Sequence, residues 1–200
     1  MSELFKDKFR SETVRLSNWN YSGEAAYFIT ICTLGKEDYF GKVEYGKMIQ
    51  NELGKIVETE WLKSPVIRPD MNLKLGKFIV MPNHFHGIII VGENQYNNNK
   101  QYVGSISRDA MHRVPTDGND DCSGENENQN RFGPQTKNLA SIIRGFKSSV
   151  TTYARKNNIE FGWQPRYYEH IIRNSKSFNN ITYYIINNPR KWESDSMNIR

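Results

Sequence analysis

Hydrophobic residues run together in three short stretches of the chain, and each stretch predicts a β-strand. The first is a β-branched and aromatic segment at residues 27–34. The other two, at 78–81 and 84–91, are separated by a Pro-Asn turn pair. The segment at 84–91 is apolar on both of its faces, which predicts a central position in a sheet.

Three further stretches place apolar residues at helical spacing. The first runs from Met48 through Ile49 to Trp61, and this helix should end before Pro65. The second follows Asn138, whose side chain can cap its first turn. The third covers residues 177–188 and should be stopped by the proline that follows.

Residues 94–136 show little hydrophobic periodicity and are rich in Asn, Asp, Gly and Ser. We interpret 94–136 as a polar loop insert, partly disordered, within a single domain that spans residues 1–200. Residues 163–173 are expected to be extended. The resulting order of strand, helix, strand, strand, insert, helix, strand, helix predicts an α+β sandwich with helices packed on an antiparallel sheet.

Composition and charge narrow the class of protein. No apolar run approaches the roughly 18 residues that a membrane helix needs, and no apolar signal stretch follows Met1. Two cysteines are too few for a disulfide framework, so we expect a cytoplasmic protein. The net charge is +5, but residues 137–200 alone carry 11 basic and 4 acidic side chains, net +7. This basic third of the chain favours a polyanionic partner such as nucleic acid, with a solvated charged surface as the alternative.

His84-Phe85-His86 is the most prominent candidate for chemistry. Because side chains alternate along a strand, both imidazoles point to one face and Phe85 to the other. Two adjacent neutral imidazoles suit a divalent metal ion. The alternative is a pair of partly buried histidines without a ligand. We expect the two rings at the strand surface, where their replacement would change stability little.

A second candidate is the pair Tyr184 and Asn188, which lie four residues apart and share one helix face. A tyrosine hydroxyl can attack a phosphate if a metal polarises the phosphoryl oxygens. The Asn188 amide oxygen, one turn away, can be a third metal ligand. The alternative is an ordinary half-buried tyrosine, one of 11 in the chain. Tyr183 is turned about 100° away and is expected to point elsewhere.

The segment 163–170, Trp-Gln-Pro-Arg-Tyr-Tyr-Glu-His, combines aromatic rings with cationic and amide groups. Single-stranded nucleic acid is often held by base stacking together with phosphate contacts. An edge strand with amphipathic tips is the alternative, and His170 is expected to be structural or to face DNA rather than to bind metal. The candidate DNA contacts are Lys147, Trp163, Arg166, Tyr168 and Arg173.

Taken together, these motifs resemble those of the REP-associated tyrosine transposases, relatives of the small transposases that move insertion sequences as single strands. The resemblance covers about residues 20–92 and 137–192. It rests on the joint occurrence, in this order, of Met81-Pro82-Asn83-His84-Phe85-His86, of the segment from Trp163 to Asn174, and of Tyr184-Ile185-Ile186-Asn187-Asn188-Pro189.

The resemblance implies a ferredoxin-like, RNA-recognition-motif-like sandwich with the His-x-His strand in the middle of the sheet. It implies that His84 and His86 bind magnesium or manganese, that Asn188 completes this metal site, and that Tyr184 is the nucleophile. The substrate would be single-stranded DNA that carries a hairpin, cleaved and rejoined through a 5′-phosphotyrosine intermediate. The insert at 94–136 is the main departure from the family.

Other functions stay open at this point. A replication initiator of the wider HUH class would run the same cleavage, and a domesticated, catalytically silent protein would only bind DNA. A single-stranded-RNA-binding sandwich is a third alternative. The sequence leaves open a monomer or a homodimer, and whether Tyr184 acts on its own chain's metal. A DNA partner would place the cytoplasmic protein at the nucleoid.

Overall fold

The structure, a computed structural model, describes residues 19–97 and 136–198. The predicted insert therefore lies almost entirely outside the described residues. The strands are β1 (Ala25–Cys32), β2 (Gly41–Glu44), β3 (Lys47–Gln50), β4 (Leu73–Val80), β5 (His84–Val91) and β6 (Tyr168–Ile172). The helices are α1 (Glu52–Leu62), α2 (Ser64–Ile67), α3 (Leu139–Lys156) and α4 (Ser175–Asn187), and short 3-10 helices lie at Leu34–Lys36, Pro69–Met71 and Pro189–Ser194.

Four strands form an antiparallel sheet in the order β4-β5-β1-β6. Along the chain, β1, α1, β4, β5, α3 and β6 follow one another, and with this strand order they make a ferredoxin-like βαββαβ unit. The predicted α+β class is confirmed, and so is the interior position of the His-x-His strand, β5. An interior strand makes hydrogen bonds on both edges, which holds its side chains in a fixed register.

One face of the sheet carries the larger core. Side chains of β1 and β5, including Ile29 and Phe85, are fully buried here against α1 and α3. The amphipathic α3 contributes Ile142, Phe146 and Val150 from one side of the helix. Asn138 caps α3 as predicted, because its side chain accepts the backbone N–H of Ser141.

The opposite face is covered by α4. Ile185 of this helix is buried against Phe28, Ile88 and Ile172 of the sheet, with Phe178 and Ile181 packed around them. This second core is small. The helix therefore covers the face on which the alternation of β5 places its two histidines.

The single helix predicted from residue 48 is wrong in its first part. Met48 and Ile49 belong to β3, which pairs with β2 in a two-stranded hairpin, and the helix begins only after Asn51. The spacing of Met48, Ile49, Leu53 and Val57 fits a helix, yet the Tyr45-Gly46 turn, where both residues have positive φ, folds the chain back as a hairpin. Local periodicity does not distinguish these two outcomes over so short a stretch.

Other predicted boundaries shift by a few residues. Helix α1 ends at Leu62, before Pro65, as expected. Strand β4 begins at Leu73 rather than near residue 78, and its register shifts between Leu75 and Phe78. Of the segment predicted to be extended, Tyr168–Ile172 forms the strand β6. Within residues 19–97 and 136–198, no helix has the length and apolar character needed to cross a membrane.

Candidate functional site

The two histidines of β5 and the tyrosine of α4 meet between the sheet and the helix. The Tyr184 hydroxyl lies 3.2 Å from Nε2 of His86 in the same chain. The rings of His84 and His86 are 4.5 Å apart between centroids. The expectation of surface histidines is wrong: His84 is 0 % and His86 2 % exposed, because α4 and the 3-10 helix that follows it cover this face.

His86 is fixed on its other side by β1. Thr30, its cross-strand partner, places Oγ1 2.9 Å from Nδ1 of the ring. Phe28 stacks against the same ring at 5.3 Å. Burial, and to a smaller degree the neighbouring His84, lower the pKa of His86 well below its ordinary value. The ring is therefore neutral at pH 7. In the tautomer with its proton on Nδ1, donated to Thr30, the Nε2 lone pair faces the tyrosine.

His84 is oriented by Asn83. The Asn83 amide donates to the backbone carbonyls of Lys36 and Met197, at 3.0 and 2.9 Å, so its oxygen Oδ1 must face the ring. This oxygen lies 2.8 Å from Nδ1 of His84 and can only accept, which places the ring proton on Nδ1 and the lone pair on Nε2. Burial lowers the pKa of His84 to about 4, with Asp195 and Asn188 opposing the shift.

Two acceptor atoms are left without a donor in this site. Nε2 of His84 and Oδ1 of Asn188 are both buried and have no hydrogen-bond partner among the described residues. The Asn188 amide nitrogen donates to Asp195 at 3.3 Å, which leaves its oxygen on the side of the histidines. Lone pairs that share a buried space without a proton between them are unfavourable unless a cation or a hydrogen-bond donor lies among them. His84, His86 and Asn188 could hold a divalent metal in this way.

Such a site would take its third protein ligand from an amide rather than from a carboxylate. Within the described part of the chain, no group of three or more His, Cys, Asp or Glu side chains is placed to hold a metal ion. Asn188 is 2 % exposed and stands at the end of α4, one turn after Tyr184.

Tyr184 is turned toward the site and Tyr183 away from it. Tyr184 keeps 42 % of its surface exposed, so part of its side chain faces solvent. Partial burial raises its pKa, and Asp195 adds to this effect, so the hydroxyl is protonated at pH 7. Tyr183 is 67 % exposed on the outer side of α4.

The candidate DNA contacts separate onto two sides of the molecule. Tyr168 lies on the histidine side of the sheet, where it lines a groove with Tyr184, and Arg173 is exposed directly after β6. Trp163 instead packs with the larger core, and its indole donates to the Lys147 carbonyl at 3.1 Å.

Lys147 lies beside Trp163 and binds the backbone of the segment that precedes β6. Its ammonium donates to the carbonyls of Gln164 and Arg166, at 2.8 and 3.1 Å. The side chain of Arg166 is exposed on this side, at a residue with φ of 67°. The fold thus brings Tyr168, but not Trp163 or Lys147, to the histidine site.

Besides Thr30 and Phe28, sequence reasoning missed three residues that shape the site. Asn83 was assigned only to a turn, although its place directly before the His-x-His motif is a signal for a ring-orienting role. Trp192 lies 5.9 Å from His84 between ring centroids and closes the site from the 3-10 helix. Asp195 holds the Asn188 amide. No local pattern marks Trp192 or Asp195, because their roles arise from a turn of chain that folds back onto β5.

Comparison with known proteins gives a relative in sequence and a similarity in fold. No protein-family model matches the sequence. The fold is similar to that of a REP-associated tyrosine transposase solved in complex with a REP hairpin, with a TM-score of 0.51 and 19 % identity over 91 % of this chain and 74 % of that one. In sequence, the chain is 37 % identical over 189 residues to an uncharacterized protein of Haemophilus influenzae, which covers 92 % of this chain and 91 % of that protein. The chain belongs to the same protein family as this Haemophilus influenzae protein.

Proposed function

We propose that this protein is a metal-dependent transposase or endonuclease that cleaves and rejoins single-stranded DNA through a covalent bond between Tyr184 and a 5′-phosphate. The observation that carries the proposal is the 3.2 Å contact of the Tyr184 hydroxyl with His86, beside two buried acceptors that lack a donor. The motifs that resemble REP-associated tyrosine transposases support it, and so does a fold shared with one of them.

Magnesium or manganese is the proposed cofactor, with His84, His86 and Asn188 as its ligands. The neutral state of both rings supports this assignment, since a protonated imidazole cannot bind a metal. When bound, the cation would supply Lewis-acid stabilisation of the negative charge that develops on the scissile phosphate.

Tyr184 would act as the nucleophile. Its oxygen forms a bond to the phosphorus, the bond from phosphorus to the 3′ oxygen breaks, and the phenolic proton ends on the departing 3′ oxygen, which becomes a hydroxyl. The reverse reaction with another 3′-hydroxyl rejoins DNA, so no nucleotide cofactor is consumed. The face that Tyr184 shares with Asn188 keeps its hydroxyl over the histidines during the exchange.

The proposed substrate is single-stranded DNA with a hairpin. The exposed phenol and the basic last third of the chain favour a flexible polyanion. The structural neighbour was solved bound to a REP hairpin.

The test is adduct formation. The protein is incubated with Mn²⁺ and single strands prepared from its source genome, labelled at either the 5′ or the 3′ end, and separated on a denaturing gel. Because the phosphate stays with the strand downstream of the cut, the 3′ label should move with the protein and the 5′ label should not. Tyr184→Phe should abolish the adduct and keep DNA binding, since only the hydroxyl is lost.

Tyr183→Phe is the matched control, since this neighbouring phenol faces outward, and the variant should form the adduct normally. A phosphotyrosine mapped by peptide sequencing to Tyr167, Tyr168 or Tyr183 would contradict the assignment of Tyr184. Binding without an adduct on any tyrosine would favour a catalytically silent DNA-binding protein.

A further inference from the structure

An open groove lies between α4 and β6, the strand at the edge of the sheet, and Tyr184 forms part of its wall. Its volume is about 520 Å³, inside the range of roughly 300–1,000 Å³ typical of small-ligand sites. The groove is lined by Phe28, Tyr168, His170, Asn174, Lys176, Ser177, Asn180, Ile181 and Tyr184. We call it the edge groove.

Strand register connects the edge groove to the histidine site. Thr30 pairs with His86 on one side and with Tyr168 on the other, so these three residues form one row across β5, β1 and β6. Neighbouring strands are about 4.8 Å apart, which places Tyr168 roughly 10 Å from His86 along that row. A phosphate above the histidines would thus have its own nucleoside within reach of the groove.

The groove offers aromatic surface at its floor and wall. Phe28 forms the floor and makes edge-on contacts with the rings of Tyr168 and Tyr184, at 6.5 and 6.0 Å between centroids. Tyr168 is 59 % exposed. An exposed ring on an otherwise packed sheet face is a stacking platform for a planar group.

Polar groups stand around this aromatic surface. Asn174 is occupied as the cap of α4, where its side chain accepts the Ser177 N–H. The exposed side chains of His170, Lys176 and Asn180 make no hydrogen bond or ion pair with other described residues. An amide, an imidazole and an ammonium group beside a free ring match the edges of a nucleobase and the charge of its phosphate.

We propose that the edge groove binds one unpaired nucleobase of the DNA strand, next to the phosphate that Tyr184 attacks. The base stacks on Tyr168, Asn180 and His170 contact its edge, and Lys176 contacts an adjoining phosphate. This inference rests on the proposed function. The edge groove would then be where the protein recognises the DNA strand through one of its bases.

The test compares a pool of random DNA 12-mers with a 12-mer of abasic sugar-phosphate units, by fluorescence anisotropy in EDTA so that no cleavage occurs. The wild type should bind the random pool at least about fivefold more tightly, the lower end of what one stacked base contributes. Tyr168→Val, which keeps a residue favourable in strands, should reduce this preference to near unity without changing abasic binding. Tyr168→Phe, which keeps the ring, should retain it.

Tyr183→Ala is the control for loss of an exposed aromatic ring outside the groove, and it should keep the full preference. Equal binding of the two probes by the wild type, or a preference that survives Tyr168→Val, would overturn the proposal. In a second measurement, a pool with 5-iodouracil should crosslink under ultraviolet light to a peptide containing Tyr168. Crosslinks confined to other peptides would contradict the location.

The two proposals fail separately. Base preference in EDTA together with no covalent adduct would refute the proposed cleavage and leave the edge groove in place. An adduct at Tyr184 without base preference would refute the groove alone.

Discussion

At the scale of single residues, the site depends on how an asparagine amide sets the state of a histidine. Asn83 is held by two backbone carbonyls and presents only an acceptor to His84, so the free lone pair of this ring stands on Nε2. The arrangement matches the outer hydrogen bonds that orient histidine ligands in metal proteins.

Replacing Asn83 tests this arrangement. Asn83→Ala removes the acceptor at Nδ1, so we expect Mn²⁺ affinity to fall by about 10- to 100-fold, measured by titration calorimetry. Asn94→Ala is the matched control, because Asn94 is another buried amide bonded to backbone carbonyls, away from the histidines. Equal affinities of the two variants for Mn²⁺ would show that Asn83 does not position the ring.

At the scale of elements, β5 is held in place by aromatic packing behind the histidines. Phe85 points to the face opposite His84 and His86, where its ring lies 4.7 Å from that of Trp61 in α1. Gly87 leaves room for both rings: a Cβ there would come within 2.8 Å of Phe85 and 3.0 Å of Trp61. Neither ring can move freely, since both are fully buried.

Gly87→Ala should therefore lower the free energy of unfolding by about 1–3 kcal/mol, the usual cost of overpacking a core. Denaturant titration followed by tryptophan fluorescence measures this change. Gly162→Ala is the control, because the atoms nearest to its added methyl belong to Leu34, at 3.2 Å or more, and Leu34 is 54 % exposed. A loss no larger at Gly87 than at Gly162 would mean that β5 can shift to accept the methyl group.

At the scale of the whole molecule, two neutral buried histidines make stability depend on pH. The pKa of His84 falls from 6.5 to about 4 on folding, and that of His86 is also lowered. Between about pH 4 and pH 6.5 the unfolded chain binds protons that the folded chain does not. In the metal-free protein, the part of the stability that depends on these two rings is thus complete above about pH 6.5 and is lost as the pH falls toward 4.

The expected slope is about 1.4 kcal/mol per pH unit for each histidine that stays neutral. It can be measured by thermal and urea unfolding in EDTA between pH 7 and pH 4. His84→Gln should flatten the profile, whereas His170→Gln, at the exposed edge of the sheet, should leave it unchanged. A wild-type profile that matches His84→Gln would contradict the burial of a neutral ring.

Charge distribution sets a second property of the whole molecule. Residues 137–200 carry a net charge of +7, whereas the basic and acidic side chains of residues 1–93 cancel to a net charge of zero. Binding of single-stranded DNA should weaken with salt, by about −0.7 in the log–log slope for each phosphate contact. Arg173→Ala should make the slope shallower by that amount, and Lys55→Ala, in α1, should not. Salt-independent affinity would rule out a phosphate-led interface.

Much of the fold was predictable from the sequence because its signals are local. Alternation places His84 and His86 on one face of a strand, and helical spacing places Tyr184 and Asn188 on one face of a helix. The cap at Asn138 is readable for the same reason. The β2-β3 hairpin was not predictable, since Met48 and Ile49 fit a strand and a helix equally well.

By itself, the sequence determined which side chains share a face within each element. The order of these elements determined the α+β class, and the shared faces marked the two histidines and the tyrosine as candidate site residues. Only the tertiary structure decided what lies across from them. Thr30 meets His86 through strand register over 56 residues, and Asn83 meets Met197 over 114. Such contacts depend on how separate elements pair and pack, which no local periodicity encodes, because the free energy that selects them comes from burying the whole interface at once.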